Sequence, residues 1–165
     1  MSVRPEGSTV NASRKPLRAS GPAHRKKMTD VRWLDLDALA TVTIVVGRRH
    51  VVPGHGRWSA DSPGEQLIDV RFHQPTSVGR LRVVSSEGEQ ARTQELTIWA
   101  SLRRGEQHRE VLRRLFTFNP HGATEEVEEH ALQLEGVSAI QVRIVPCVDG
   151  RPAVAHVREL RIARD

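Results

Sequence analysis

The chain has 165 residues, of which 38% are apolar, so it is long enough for one domain with a hydrophobic core. No apolar run approaches the about 18 residues that a membrane helix needs, and no N-terminal apolar segment has the length of a secretory signal. A single cysteine, Cys147, excludes an internal disulfide and favours a cytoplasmic location.

The net charge of +5 is distributed unevenly along the chain. Residues 1–27 hold seven Lys/Arg and one acidic residue, whereas the remaining 138 residues hold 18 basic and 19 acidic residues. Because residues 1–27 are also rich in Pro, Gly and Ser, we predict a disordered basic tail followed by a domain over residues 28–165. The tail is either a solvated extension upstream of a true start at Met28, or an arm that contacts nucleic acid or another anionic surface.

The predicted domain begins with a short entry segment that contains Trp33 and Leu34, for which a helical turn and an edge strand are both open. A strand is predicted over residues 40–46. Residues 47–65 form a long irregular stretch, and loops of this length inside a compact domain are often functional. Residues 66–72 and 78–85 then alternate apolar and polar side chains, so each is predicted to be a strand, with a turn at residues 74–77 between them.

The clearest pattern predicts a hairpin over residues 93–118. Residues 103–109 contain Gly105 and no apolar side chain, so the chain is expected to reverse there. The first strand alternates between a buried and an exposed face, and its predicted buried residues are Leu96, Ile98, Ala100 and Leu102. On the second strand, the predicted buried residues are Leu112, Phe116 and Phe118. Trp99 falls on the exposed face, where we expect the entry segment to cover it; otherwise it forms an apolar patch.

Three more strands are predicted after the hairpin, over residues 128–134, 139–148 and 155–163. The apolar alternation of the last strand shifts between Val157 and Leu160, which predicts a β-bulge. About eight short strands, regular turn signals and the lack of a long amphipathic helix predict an antiparallel β-sandwich or barrel.

Three stretches resemble the discoidin-like, galactose-binding-like β-sandwiches, a group that includes coagulation-factor C-terminal domains and bacterial carbohydrate-binding modules. Residues 58–83 have the loop Trp, the strand that ends in an aromatic residue and the Pro turn of that group. Residues 95–111 are similar to its central hairpin, although the turn has Arg104-Gly105 instead of Asp-Gly. Residues 137–163 are similar to its final strand pair. The resemblance implies an all-β, antiparallel jelly-roll sandwich of about eight strands that binds ligands through end loops.

On this expectation, the candidate ligand loops are residues 47–65, 85–92 and 146–152. An indole ring stacks on the C–H face of a sugar, while Arg, His and Asp side chains hydrogen-bond its hydroxyls. The predicted ligand-binding residues are therefore His55, Arg57, Trp58, Asp61 and Arg92. The alternative for Trp58 is an inward position as a cover of the core.

Other sites have weaker signals. The chain lacks zinc-finger spacing, HExxH, an EF-hand loop, GxSxG and a P-loop, so neither catalysis nor a cofactor is predicted. The resemblance leaves open a structural calcium. Cys147 is expected to be a buried, inert thiol. An acidic run could hold a cation or a basic partner, although such runs are more often solvated; it comprises Glu125, Glu126, Glu128 and Glu129.

The sequence therefore predicts a non-enzymatic binding module for a carbohydrate or a similar polar ligand. The alternative is a protein–protein adaptor that uses the sandwich face bearing Trp99. A third hypothesis is nucleic-acid contact through the basic tail. No membrane partner is predicted.

Overall fold

The computed structural model of the protein describes residues 31–46, 49–51 and 58–164. The predicted basic tail and the candidate contacts His55 and Arg57 lie outside these residues. The described part contains a four-residue helix and eight strands, which are α1 (Leu36–Leu39), β1 (Ala40–Val46), β2 (Arg49–Val51), β3 (Trp58–Ser59), β4 (Gln66–Ser86), β5 (Arg92–Ser101), β6 (Arg109–Phe118), β7 (Glu125–Val145) and β8 (His156–Ala163).

Two long strands, β4 and β7, organise the fold because each runs through both layers of a sandwich. In the first layer the order is β2-β1-β4-β7-β5-β6, formed by residues 66–72 of β4 and 139–145 of β7. In the second layer, residues 125–134 of β7 pair with residues 78–86 of β4, and β8 and then β3 follow on the other side of β4. All pairs are antiparallel. This architecture confirms the predicted all-β jelly-roll sandwich.

The predicted turn at residues 74–77 is wrong, because β4 continues through it. The register between β4 and β7 shifts between Arg71 and Arg80, and this irregularity bends both strands from one layer to the other. Pro75, which has no backbone N–H, is tolerated in that irregular region. The separate strands predicted at residues 128–134 and 139–148 are likewise the single strand β7.

The core lies between the two layers and forms one cluster of buried apolar side chains. Each buried side chain of this size contributes about 1.5–3 kcal/mol relative to an exposed one. The first layer contributes Ile44, Val70, Ile98 and Val142, and the second contributes Leu81, Val83 and Ile162.

The hairpin of β5 and β6 is confirmed, with three corrections to its faces, one of which is that Ser101 is buried although it alternates with the predicted buried residues. Leu102, predicted to be buried, is 42% exposed because it lies beyond the end of β5. Thr97, predicted to be exposed, is fully buried. β5 lies between β7 and β6, and the cross-strand neighbours of Thr97 are Arg143 and Arg113. Their long side chains cover the outer face of the strand.

The entry segment pairs with the last residues of β8 in the second layer. The Leu34 N–H donates to the Ile162 carbonyl at 2.8 Å, and Trp33 forms a β-bridge with Ala163. The expected cover of Trp99 by this segment is therefore wrong, because Trp99 lies on β5 in the first layer. The predicted bulge in β8 is confirmed by a register shift, since Val84 pairs with Glu159 but Ser85 pairs with Val157.

The bends of β4 and β7 give the sandwich two different ends. At one end, which we call the loop end, the segments before β4, between β4 and β5, between β6 and β7, and between β7 and β8 lie together. At the other, the hairpin end, the β5–β6 turn lies beside the bends: the Arg104 side chain donates to the His73 carbonyl at 3.0 Å, and the Ser138 hydroxyl donates to the Ser101 carbonyl at 3.0 Å.

Candidate loop-end site

Backbone hydrogen bonds hold the segments of the loop end together. The Gly64 N–H donates to the Ala153 carbonyl at 3.0 Å, which joins the segment before β4 to the one before β8. The Glu87 N–H donates to the Thr124 carbonyl at 2.9 Å, which joins the loops on either side of the β5–β6 hairpin. The described parts of the loops that the sequence singled out therefore lie together at this end. They are residues 58–65, 86–92 and 146–152.

A buried arginine fixes the positions of these loops. The Arg92 side chain is fully enclosed, and its Nε donates to Glu87 Oε2 at 2.7 Å. Its terminal nitrogens donate to the carbonyls of Pro146 and of Val154, the latter at 3.1 Å. The guanidinium also lies 5.2 Å from the centre of the Phe118 ring, which is a cation–π contact. One side chain thus joins two loops to the end of the hairpin.

Glu87 extends this arrangement into the loop between β4 and β5. Its Oε1 accepts hydrogen bonds from the backbone N–H groups of Glu89 at 2.7 Å and Gln90 at 3.1 Å. Burial alone would raise the pKa of Glu87, but the hydrogen bonds from Arg92 and from these amides outweigh it, and the pKa lies below its ordinary value. Glu87 is therefore an anion at neutral pH, and its hydrogen bonds to the two backbone amides stabilise the loop between β4 and β5.

Above Arg92 and Glu87 lies an open cleft of about 630 Å³, which we call the loop-end cleft. This volume is within the usual range for small-molecule sites. The apolar residues of its lining include Pro63, Pro152 and Val154. The polar residues of its lining include Glu89, Gln90 and His156. Both kinds of contact that a sugar ring needs are thus present.

None of the three predicted contact residues that the structure describes lines this cleft. Trp58 points between the layers and packs against the core cluster, which matches the alternative of an inward position. Asp61 is exposed on the loop before β4. Arg92 lies beneath the cleft, and its side chain has no exposed surface. This position fits a structural role and does not fit the predicted role as a ligand contact.

Trp58 instead lines a second pocket, of about 590 Å³, between the layers at the β1 and β8 side. Its other walls include Leu34, Ile44 and Leu160, and Asp35 lies at its edge. The Asp35 carboxylate is engaged as the N-cap of α1, where it accepts from the Ala38 N–H at 3.3 Å. This pocket therefore combines apolar walls continuous with the core with polar residues that include Thr41 and His73.

Gln90, Glu89 and His156 were not singled out from the sequence. Glu89 and Gln90 lie within a loop that was predicted to bind, so the segment was identified but its polar side chains were not. His156 begins β8, and its Nδ1 lies 2.8 Å from Ser59 Oγ on β3. Its position depends on pairing between strands about 100 residues apart, which no local pattern reveals.

The acidic run and Cys147 are engaged within the protein. Glu129 accepts from Arg80 at 2.7 Å and from Arg82 at 2.8 Å. Cys147 is buried, and its Sγ donates to Asp149 at 2.9 Å. That hydrogen bond, together with those from Arg151, lowers the pKa of Asp149 to about 2.

Among the described residues, no group of three or more His, Cys, Asp or Glu side chains is arranged to hold a metal ion. The same part of the chain contains no helix with the length and apolarity needed to cross a membrane.

A comparison with solved structures supports the architecture. Neither the family models nor the curated proteins give a match to this sequence. Among solved structures, the family 32 carbohydrate-binding module of NanJ from C. perfringens, in complex with galactose, is similar over 79% of this chain and 96% of its own, with 14% identity and a TM-score of 0.52.

Two further structures are similar at lower TM-scores. An F5/8 type C domain from Bacteroides fragilis covers 80% of this chain and 95% of its own, with 14% identity and a TM-score of 0.47. The family 32 module of AlyQ, in complex with 4,5-unsaturated mannuronic acid, covers 66% and 78%, with 17% identity and a TM-score of 0.47. The chain has the fold of the discoidin-like, galactose-binding-like β-sandwiches.

Proposed function

We propose that this protein is a non-enzymatic binding module that holds a carbohydrate, or a similarly polar small ligand, in the loop-end cleft. The observation that carries the proposal is a cleft of about 630 Å³ whose lining combines apolar and polar residues. A sugar ring has the matching surface, with C–H groups on its faces and hydroxyls around its edge.

The buried pair beneath the cleft supports binding with little reorganisation. Arg92 and Glu87 hold the loops before any ligand arrives, so fewer degrees of freedom are lost on binding. The same pair argues against acid–base catalysis. Glu87 is held as an anion by Arg92 and two backbone amides, so the cleft does not offer a free pair of carboxyl groups.

The test is binding of the full chain to an array of neutral and acidic oligosaccharides, followed by titration of the best ligand. Gln90→Ala and His156→Ala should each weaken binding about tenfold, because each removes a side chain that would hydrogen-bond a hydroxyl of the bound sugar. Gln107→Ala is the matched control, since Gln107 is exposed in the β5–β6 turn at the opposite end. No binding across the array, or equal affinity of Gln90→Ala and Gln107→Ala, would contradict the proposal.

The adaptor hypothesis remains a prediction without added support. Trp99 is half-buried on the outer face of the first layer, and its cross-strand neighbours are Gln141 and Glu110. The surrounding face carries ion pairs, including Arg113 to Glu110 at 2.8 Å. Trp99 therefore does not form the large exposed apolar patch that such a docking face favours.

A further inference from the structure

A second cleft lies at the hairpin end, on the far side of the molecule from the loop-end cleft. Its volume is about 480 Å³, and it lies between the bend of β4 and the β5–β6 turn. Arg104 closes it at one side by donating to the His73 carbonyl at 3.0 Å. We call it the hairpin-end cleft.

The turn that forms one wall of this cleft is held by local hydrogen bonds. The Ser101 hydroxyl donates to the Arg103 carbonyl at 2.8 Å, and the Glu106 N–H donates to the same carbonyl at 3.1 Å. Gly105 has a φ of +86°, a backbone conformation that is strained for residues with a side chain. The backbone that carries the arginines of the turn is therefore defined before any ligand binds.

The lining of the hairpin-end cleft is positively charged. Three arginines, Arg71, Arg103 and Arg104, contribute to it together with a single carboxylate, Glu106. Arg103 is 83% exposed, and its ion pair with Glu106 is long, at 3.7 Å, so it is weak. The guanidinium of Arg104 is bonded to a carbonyl oxygen, which leaves its charge without compensation by a carboxylate in the described part of the chain.

Arg71 approaches from the opposite wall. Its Nε donates to Asp69 at 2.6 Å, while the side chain as a whole is 69% exposed. Asp69 is itself nearly buried, so it fixes the stem of Arg71 and leaves the terminal nitrogens of the guanidinium toward solvent. Arginines from the β4 bend and from the β5–β6 turn thus line one small cavity.

We propose that the hairpin-end cleft binds a single phosphate or sulfate group of a small molecule. Guanidinium forks match the oxygens of a tetrahedral oxyanion, and charge-assisted hydrogen bonds of this kind are about twice as strong as neutral ones. A nucleic-acid backbone would need a basic stripe along a face. Here Arg103, with only a long ion pair, and Arg104, bonded to a carbonyl, line one cavity. On the second-layer face, by contrast, Arg80 and Arg82 are paired with Glu129.

The test is a titration of the full-length, ¹⁵N-labelled protein with inorganic phosphate and with sulfate, followed by amide chemical shifts at fixed pH and ionic strength. Both anions should shift the amides of the β5–β6 turn, while chloride at equal ionic strength should not. Arg103→Gln and Arg71→Gln should each weaken phosphate binding about tenfold. Arg158→Gln, an exposed arginine on β8 that pairs with Glu125, is the matched control and should bind as the parent does.

Two further ligands identify the source of the oxyanion. If galactose 6-sulfate or glucose 6-phosphate binds more tightly than the inorganic anions and shifts the same amides, the ligand is a modified sugar; equal affinity indicates the free anion. The proposal is overturned if phosphate acts like chloride or if Arg103→Gln has no effect. It is also overturned if an oligonucleotide binds more tightly than every small oxyanion and Arg158→Gln weakens it as much as Arg103→Gln.

Discussion

Arg92 shows how one buried charge can define a binding surface without touching the ligand. Its side chain has no exposed surface, and it makes an ion pair, two hydrogen bonds to loop carbonyls and a contact with Phe118. Burial of an ion pair costs desolvation free energy, which good geometry and additional hydrogen bonds offset. We interpret this pair as a device that fixes the loop arrangement.

Replacement of Arg92 by Met should therefore destabilise the protein by about 3–5 kcal/mol, because Glu87 would remain buried without its counter-ion. The double variant Arg92→Met/Glu87→Gln should lose less stability than Arg92→Met alone. Urea unfolding measures both. The control is Arg80→Met, whose ion pair with Glu129 is 38% exposed on the arginine side and should contribute about 0–1 kcal/mol. A loss below about 1 kcal/mol for Arg92→Met would contradict a structural role.

Glu126 provides a second prediction, on the dependence of stability on pH. It is 6% exposed, and burial, a hydrogen bond with Glu128 and repulsion by that carboxylate raise its pKa to about 8. The folded state therefore holds a proton that the unfolded state, with the ordinary value of 4.5, releases. This contribution to stability is present below pH 4.5 and is lost as the pH rises through about 8.

Glu126→Gln should remove this dependence, because an amide stays neutral at every pH. The variant should gain stability relative to the parent protein between pH 5 and pH 9, by more than about 1 kcal/mol at the upper limit. Urea midpoints measured across that range test the prediction. Parallel curves for Glu126→Gln and the parent would show that this carboxyl does not carry a raised pKa.

At the scale of elements, local alternation was sufficient for β1, β5, β6 and β8. The bends of β4 and β7 were missed because residues 74–77, with Pro75, have the composition of a turn. Turn residues end a strand only when no partner strand continues beside them. Here β4 and β7 pair on both sides of the bend, and that pairing between distant segments keeps the backbone extended.

Gly136 tests the account of the β7 bend. Its φ is +65°, a conformation that alanine adopts at a cost of about 1–2 kcal/mol, although nothing would contact the added Cβ. Gly136→Ala should therefore lower the midpoint of thermal unfolding by about 2–6 °C. Gly122→Ala is the control, since it has equally open space and no positive φ. Equal midpoints for the two variants would show that the bend does not require glycine.

At the scale of the whole molecule, the two ends differ in charge and in shape. The loop-end cleft contains Glu87 and Glu89, whereas the hairpin-end cleft is lined by three arginines and one carboxylate. The resemblance to a known sandwich group predicted that the end loops lie together. The sequence did not decide whether Trp58 lines the cleft or packs against the core. The side of β3 that faces the core is set by the pairing of Trp58 with Val157 on β8.

Because Trp58 packs against the core and Gln90 lines the loop-end cleft, their substitutions should have different effects. Trp58→Ala should reduce stability, by about 2–4 kcal/mol, because Trp58 packs against the core, and should leave ligand affinity unchanged. Gln90→Ala should weaken ligand binding and leave the free energy of unfolding unchanged. Urea unfolding and ligand titration of both variants distinguish the two roles. If Trp58→Ala abolishes binding while the fold is retained, the pocket that Trp58 lines is the site.

The most direct test of the central claim is to map the bound ligand on the ¹⁵N-labelled full chain. D-Galactose and a panel of neutral mono- and disaccharides are added in turn, and amide chemical shifts are followed. We predict saturable shifts confined to the loops at residues 61–65, 87–90 and 151–156, which surround the loop-end cleft. Shifts centred on Trp58 and Leu34, shifts confined to the β5–β6 turn, or no shifts with any sugar would contradict the account.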